Sequence, residues 1–164
     1  EGDALSLAGG NWTKGKGRAL GAALGINPGV YRLLLGDNSI DEEGAKVLAA
    51  ALHTSGAQDI TTLDLSACRL TDRCVAHFAP ALAMAAAGAP PSFRARITTL
   101  SMAKNTALGD AGVLALTLVG PSTALVDIDL SRCGITSTGA VTVAELLKDV
   151  STLERLTLSW NNIG

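Results

Sequence analysis

At 164 residues the chain has room for one domain with a sizeable core, and 48% of it is apolar, chiefly Ala, Leu and Val. Thirteen basic and fifteen acidic side chains leave a formal net charge of −2, so no global field favours nucleic acid or an anionic membrane. The longest apolar runs, 81–87 and 113–119, fall far short of the roughly 20 residues that cross a bilayer, and the opening residues do not have the pattern of a signal peptide.

In chain order, short apolar pairs recur. They are Leu5-Ser6-Leu7, Leu33-Leu34-Leu35, Leu63-Asp64-Leu65, Leu100-Ser101-Met102, Ile128-Asp129-Leu130 and Leu156-Thr157-Leu158. Their second apolar residues sit 28, 30, 37, 28 and 28 residues apart. Three residues ahead of each pair, from the second onward, stand Val30, Ile60, Ile97, Leu125 and Leu153. Three residues behind stand Asn38, Cys68, Asn105, Cys133 and Asn161. The third unit shows the local physics: Leu63 and Leu65 point one way and Thr62, Asp64 and Ser66 the other, as in a strand. Cys74, Phe78 and Leu82 then recur every four residues along one side of a helix. One strand, turn and helix cannot bury both apolar faces alone, so stacked copies are expected.

The first unit, 1–29, has an irregular turn. Gly10 takes the Asn/Cys slot, Trp12 stands where Leu70 stands later, and Leu20 and Leu24 continue a helix. The second, 30–57, directs Ile40, Gly44, Leu48 and Leu52 inward, with Asp41, Glu42 and Glu43 in the first helical turn, where acids suit the dipole. The third, 58–96, is long: its helix runs on past Leu82, and a Pro90-Pro91 excursion delays the next strand by about eight residues. The fourth, 97–123, carries one extra residue between Asn105 and Leu108. The fifth, 124–151, places Ile135, Gly139, Val143 and Leu147 inward, and the sixth spans 152–164.

The pattern L-x-x-L-x-L-x-x-N/C-x-L with a closing helix resembles a leucine-rich repeat. The strict alternation of Asn and Cys, with Leu-Gly-Asp-Ala-Gly-Val at 108–113 and Ser-Ala-Cys-Arg-Leu-Thr-Asp at 66–72, resembles the two alternating repeat types of the ribonuclease-inhibitor-like subfamily. The resemblance covers essentially the whole chain. It implies an α/β solenoid of about six repeats, a right-handed βα superhelix with a curved parallel sheet inside and helices outside. It implies no single function, because that subfamily includes enzyme inhibitors, innate-immune sensors, GTPase activators, actin regulators and structural subunits. Beginning at Glu1 and stopping at Gly164 within a sixth repeat, the chain is expected to be part of a longer array, with further repeats or partner subunits covering both ends. Cys68 and Cys133 are expected to point inward as reduced thiols. Together with the lack of the paired capping cysteines of extracellular relatives, they point to an intracellular, cytoplasmic setting, with a cytoskeletal or organellar assembly as the alternative.

Three stretches invite chemistry. Gly10 to Gly17 matches a phosphate-cradling G-x-x-x-x-G-K, but Gly17 stands where a magnesium-binding Ser or Thr belongs, and the bulky Trp12 lies inside the loop. It reads as a Gly-rich terminal turn with a basic tip, and no nucleotide is expected. Cys68, Cys74 and His77 do not complete a metal set, because Cys68 belongs under the turn and the other two on the helix side. His53 and His77 have no partner Ser or Cys on the strand face, so no catalytic triad, and no cofactor, is expected.

The outward strand positions form rows. One runs Ala4, Arg32, Thr62, Thr99, Asp127, Arg155; the next runs Ser6, Leu34, Asp64, Ser101, Asp129, Thr157; a third runs Ala8, Gly36, Ser66, Ala103, Ser131, Ser159. Strands about 4.8 Å apart set Asp127 beside Arg155 as an ion pair and hold Asp64 and Asp129 roughly 10 Å apart, too far for an acid–base pair. Trp160, at the strand-to-turn rim near Arg132 and Lys104, is either a binding hot spot or cover for the end of the stack. The excursion residues Phe93, Arg94 and Arg96 form a second candidate edge.

The expected role is a non-catalytic interaction module or scaffold segment. It would bind another protein or a large assembly through Arg32, Asp64, Asp127, Asp129, Arg155, Thr157 and Trp160, or through Phe93, Arg94 and Arg96. The alternatives are an enzyme regulator, such as a small-GTPase activator or inhibitor, and a structural subunit of a cytoskeletal or organellar assembly.

Overall fold

In the computed structural model the described residues are 3–12, 14–26, 29–53, 57, 59–82, 96–117 and 123–164. Each switch from a two-residue to a roughly four-residue apolar period becomes a strand followed by a helix. In chain order these are β1 (Asp3–Ser6), α1 (Lys14–Ile26), β2 (Val30–Leu34), α2 (Glu42–Leu52), β3 (Thr62–Asp64), α3 (Asp72–Leu82), β4 (Thr99–Ser101), α4 (Gly109–Leu116), β5 (Asp127–Asp129), α5 (Ser137–Asp149) and β6 (Arg155–Thr157). The strands lie side by side in chain order, all parallel, and the register opposes Ala4, Arg32, Thr62, Thr99, Asp127 and Arg155 in one line. The ladder continues past the strand ends: Leu35 N donates to Asp64 O at 2.8 Å, Leu65 N to Ser101 O at 2.8 Å and Leu130 N to Thr157 O at 2.8 Å.

Among the described residues each helix packs chiefly on its neighbours in sequence, α1 on α2, α2 on α3, α3 on α4 and α4 on α5. Strands repeat every 4.8 Å or so, whereas helices with side chains are about 10 Å wide. A stack of such units must bend with its strands on the short, inner side. The inward residues of the middle strands are closed off, with Leu33, Leu63, Leu65, Met102 and Leu130 all at 0% exposure. This alternation of strand and helix around one apolar spine is the α/β solenoid expected above.

Helix entries follow local chemistry. Asp41 is the N-cap of α2, its Oδ1 accepting from Gly44 N at 2.8 Å, and Glu42 and Glu43 fill the first turn. The entry of α5 is held partly from its neighbour: Asp110 in α4 accepts from Thr136 N at 2.8 Å and from the Thr136 hydroxyl at 2.6 Å. Trp12 does take the place of Leu70. It is buried, and its indole Nε1 donates to Gly44 O at 3.2 Å. A methyl at Gly44 would lie 2.6 Å from Trp12 Cδ1, so the close approach of α2 to the first turn requires glycine there.

One inward residue is different. Leu147 is 45% exposed, and Leu146 takes the buried place at 2%. Steps of four drift by about 40° per turn against the 3.6-residue period, so a run begun at Ile135 has rotated off the core by residue 147. In α2 the same drift is absorbed because α1 and α3 flank it on both sides, whereas among the described helices α5 has only α4. The expected extension of the third helix beyond Leu82 and the excursion through Pro90-Pro91, Phe93 and Arg94 lie outside the described residues.

Candidate interaction surface

The turns after each strand are built on buried side chains of two kinds. Asn105 Nδ2 donates to Met102 O at 2.7 Å and to Leu65 O of the preceding repeat at 2.9 Å, while its Oδ1 accepts from Cys68 N and Leu70 N, both at 2.9 Å. Asn161 repeats the arrangement on Leu158 O, Leu130 O, Cys133 N and Ile135 N. Asn38 donates likewise to Leu35 O and Leu7 O. The Cys turns do less. Cys68 Sγ donates to Leu35 O at 3.0 Å and Cys133 Sγ to Met102 O at 3.1 Å, and burial pushes both thiols up to about 11. Asn and Cys alternate because each Asn carboxamide serves the Cys-type loop before it. Each Asn-type loop in turn leans on a Cys carbonyl, with Ile40 N donating to Cys68 O at 3.0 Å and Gly109 N to Cys133 O at 2.9 Å.

The residue just before each Asn/Cys slot, Gly10 in the first repeat included, adopts a left-handed backbone: Gly9 (φ 73°), Asp37 (57°), Ala67 (53°), Lys104 (62°), Arg132 (56°) and Trp160 (62°). The cost is small for glycine and about 1 kcal/mol or more for the others. These residues form a rim along the edge of the strand face. Their spacing repeats that of the strand cores, but the slot was not singled out in the sequence because its side-chain chemistry is not repeated. Glycine at position 9 was the available signal. On this rim Trp160 is 79% exposed, and the Arg132 guanidinium stands over its ring, 5.0 Å from the centroid.

The strand face carries the expected rows in the expected register. Arg155 Nη1 donates to Asp127 Oδ2 at 2.8 Å, a pair with side chains 73% and 25% exposed and worth at most about 1 kcal/mol. Asp64 and Asp129 stand two strands apart, and each has a local duty: Oδ1 accepts from Ser66 N and from Ser131 N, both at 2.9 Å. Arg32 is exposed in the middle of β2 and Arg155 at the start of β6, and Thr157 is half-buried on β6 beside Asp129. The structure thus brings Asp127, Asp129, Arg155 and Thr157 together on the last two strands, with Trp160 in the turn that follows and Asp64 and Arg32 successively farther along the face. Arg96 is exposed just ahead of β4, while its companions Phe93 and Arg94 lie outside the described residues.

The stretches that invited chemistry have structural employment. Trp12 is core, and a methyl at Gly17 would overlap Val47 of α2, so Gly17 marks a close contact between α1 and α2. Cys74 Sγ lies 3.6 Å from Ile40 O, Cys68 faces Leu35 O, and His77 Nε2 meets Glu42 Oε1 of the preceding helix at 3.0 Å. Three different neighbours hold these three side chains, so no common ligand sphere forms among them. No described helix is long and apolar enough to cross a membrane.

Similarity to known proteins fits this geometry. The Leucine Rich repeat family profile matches residues 97–116, 122–144 and 151–164. The chain is 32% identical over 147 residues to a ribonuclease inhibitor of Sus scrofa, covering 88% of this chain and 30% of that protein. It is also 32% identical over 147 residues to NACHT, LRR and PYD domains-containing protein 2 of Homo sapiens, covering 88% and 13%, and 31% identical over 134 residues to a ribonuclease inhibitor of Mus musculus, covering 80% and 27%. The chain therefore spans less than a third of the length of these relatives. With the Asn/Cys alternation, the six-stranded parallel sheet and these similarities together, the chain belongs to the leucine-rich repeat proteins of the ribonuclease-inhibitor-like type.

Proposed function

We propose that this chain is a non-catalytic protein-interaction segment of a longer intracellular repeat array, presenting its strand face and adjoining rim to a partner protein. The observation that carries the reading is the division of labour in the repeat. Buried Asn and Cys groups and the strand ladder fix the backbone from within, which leaves Arg32, Asp64, Asp127, Asp129, Arg155, Thr157 and Trp160 on an open, in-register face. Ordered rows of charge on a rigid support favour specific recognition, and an exposed Trp is the residue type most enriched among binding hot spots. The buried cysteines Cys68, Cys74 and Cys133, none paired with another, are compatible with a reducing compartment.

The test is partner capture with substitutions that spare the fold. Asp129→Asn keeps an oxygen for Ser131 N but removes the charge, and Trp160→Gly relieves the left-handed backbone. Loss of the partner with both supports the strand face. Unchanged capture, with loss on deleting 90–94 instead, moves the site to the excursion edge.

A second reading, an enzyme regulator, is favoured by the similarity to two proteins named ribonuclease inhibitor. Ribonuclease and small-GTPase turnover measured with and without the full-length protein distinguishes the two. A change in turnover that Asp129→Asn abolishes supports regulation, and flat rates leave the scaffold reading.

A further inference from the structure

We propose that Lys104, Arg132 and Trp160 form a docking strip for an extended acidic segment of a partner protein, with a carboxylate set between the two cations and the next side chain laid against the indole. The inference deepens the interaction-module reading and rests on it.

Three observations point the same way. Lys104, Arg132 and Trp160 occupy consecutive left-handed positions, where glycine would be free of strain, yet all three side chains are exposed and gain no burial in return. Apart from the exposed Arg132–Trp160 contact, that conformational cost has no packing return inside the molecule, which points to a return outside it. Second, the rim is charge-ordered. Asp37 stands at one end, Ala67 follows, and Lys104 and Arg132 are neighbours on adjacent repeats, about 5 Å apart by strand spacing. Like charges side by side repel, and among the described residues neither takes part in an ion pair. Asp129, three residues before Arg132, is turned back on its own chain toward Ser131 N. Third, the guanidinium is pre-positioned. Its Cζ stands over Trp160, 5.0 Å from the ring centroid, and no carboxylate among the described residues pairs with its N–H donors, which leaves them to fork an incoming carboxylate. Beside the pair opens a hollow of about 400 Å³ between Thr106, Gly134, Trp160 and Asn162, room for one side chain next to the bound acid. From Lys104 to Trp160 the strip runs two strand spacings, about 10 Å, the length of roughly three extended residues, so a six-residue peptide spans it with a margin at each end.

Trp12 is buried and Trp160 exposed, and the sequence has two tryptophans, so fluorescence reads the strip directly. The probe is a blocked hexapeptide of five glutamates around one leucine, with glutamine and lysine versions as controls. The glutamate peptide is expected to give a saturable change in Trp160 emission that weakens as salt rises. Arg132→Gly and Lys104→Gly, which relax the backbone and keep the fold, are each expected to weaken binding about tenfold. An equal response to the glutamine or lysine peptide, no response to any, or undiminished binding by the two glycine variants overturns the proposal. If the strip fails in this way while a captured partner still protects the β3–β6 face from hydrogen exchange, the interaction-module reading stands. If that face too is unprotected, both fall.

Discussion

Asn105 and Cys68 occupy the same slot in successive repeats, yet they carry different loads. The Asn105 carboxamide makes four bonds under 3 Å, two donated and two accepted, and joins its own repeat to the one before it. The Cys68 thiol donates to a carbonyl, Leu35 O, that already receives Asn38 Nδ2 at 2.6 Å. One slot is a junction that backbone groups depend on; the other is a small apolar filler with a redundant bond. The repeat is therefore a pair, and the working period of the solenoid is 65 to 67 residues here, 67 from Asn38 to Asn105 and 65 from Cys68 to Cys133.

The largest effect expected from this contrast is at Asn105. Replacing it with Ala leaves Cys68 N and Leu70 N buried without their acceptor and removes a donor from Leu65 O and Met102 O. At about 1–3 kcal/mol for each stranded group, Asn105→Ala should lose about 4 kcal/mol in urea unfolding. A loss under about 1 kcal/mol would mean that water replaces the carboxamide, and the contrast would collapse.

Alkaline pH probes the other slot. Cys68 and Cys133 have an ordinary value of 9.0, and burial pushes them up to about 11 in the fold. Below pH 9 folded and unfolded chains both hold these protons, so the thiols contribute no pH dependence. Between pH 9 and 11 the unfolded chain releases them first, and stability falls as pH rises. Unfolding midpoints measured from pH 8 to 11 should decline, and the Cys68→Ala, Cys133→Ala double variant should flatten that decline. An equal slope in both proteins would place the cause elsewhere. At neutral pH, Cys68→Ala alone should cost only about 1 kcal/mol, because the bond that it removes is one that Leu35 O can spare.

The unequal loads also explain what could be read from the sequence. Asn38, Cys68, Asn105, Cys133 and Asn161 were legible because their roles face inward and repeat with the period, as were the strand pairs and the Asp127–Arg155 neighbours. Spacing encodes what every repeat must do. It does not encode which bond each side chain makes, so the capping roles of Asp64 and Asp129 were hidden by their place in an outward row. Asp110, which reaches the start of the next helix, looked like an ordinary first-turn acid. Leu147 was misplaced because a count of four per turn ignores the drift of a real helix. The rim was least legible. Its common property is a backbone angle shared by Gly9, Asp37, Ala67, Lys104, Arg132 and Trp160, six positions with five unlike side chains besides glycine.

That backbone angle yields the smallest effect, and its sign is informative. Glycine at a left-handed site removes strain in the folded state but adds freedom to the unfolded chain, two terms of about 1 kcal/mol that oppose each other. Arg132→Gly also gives up the guanidinium–indole contact, worth about 0.5–1 kcal/mol at an exposed site. Lys104→Gly has no such contact to lose and should be neutral or slightly stabilising in thermal unfolding, whereas Arg132→Gly should fall a few tenths of a kcal/mol below it. If both variants instead unfolded as readily as Asn105→Ala, the rim would be part of the internal framework. Its large side chains would then need no outside partner to account for them. Near-neutral stability together with lost peptide binding separates the two layers of the repeat: one holds the chain in register, and the other is free to meet another molecule.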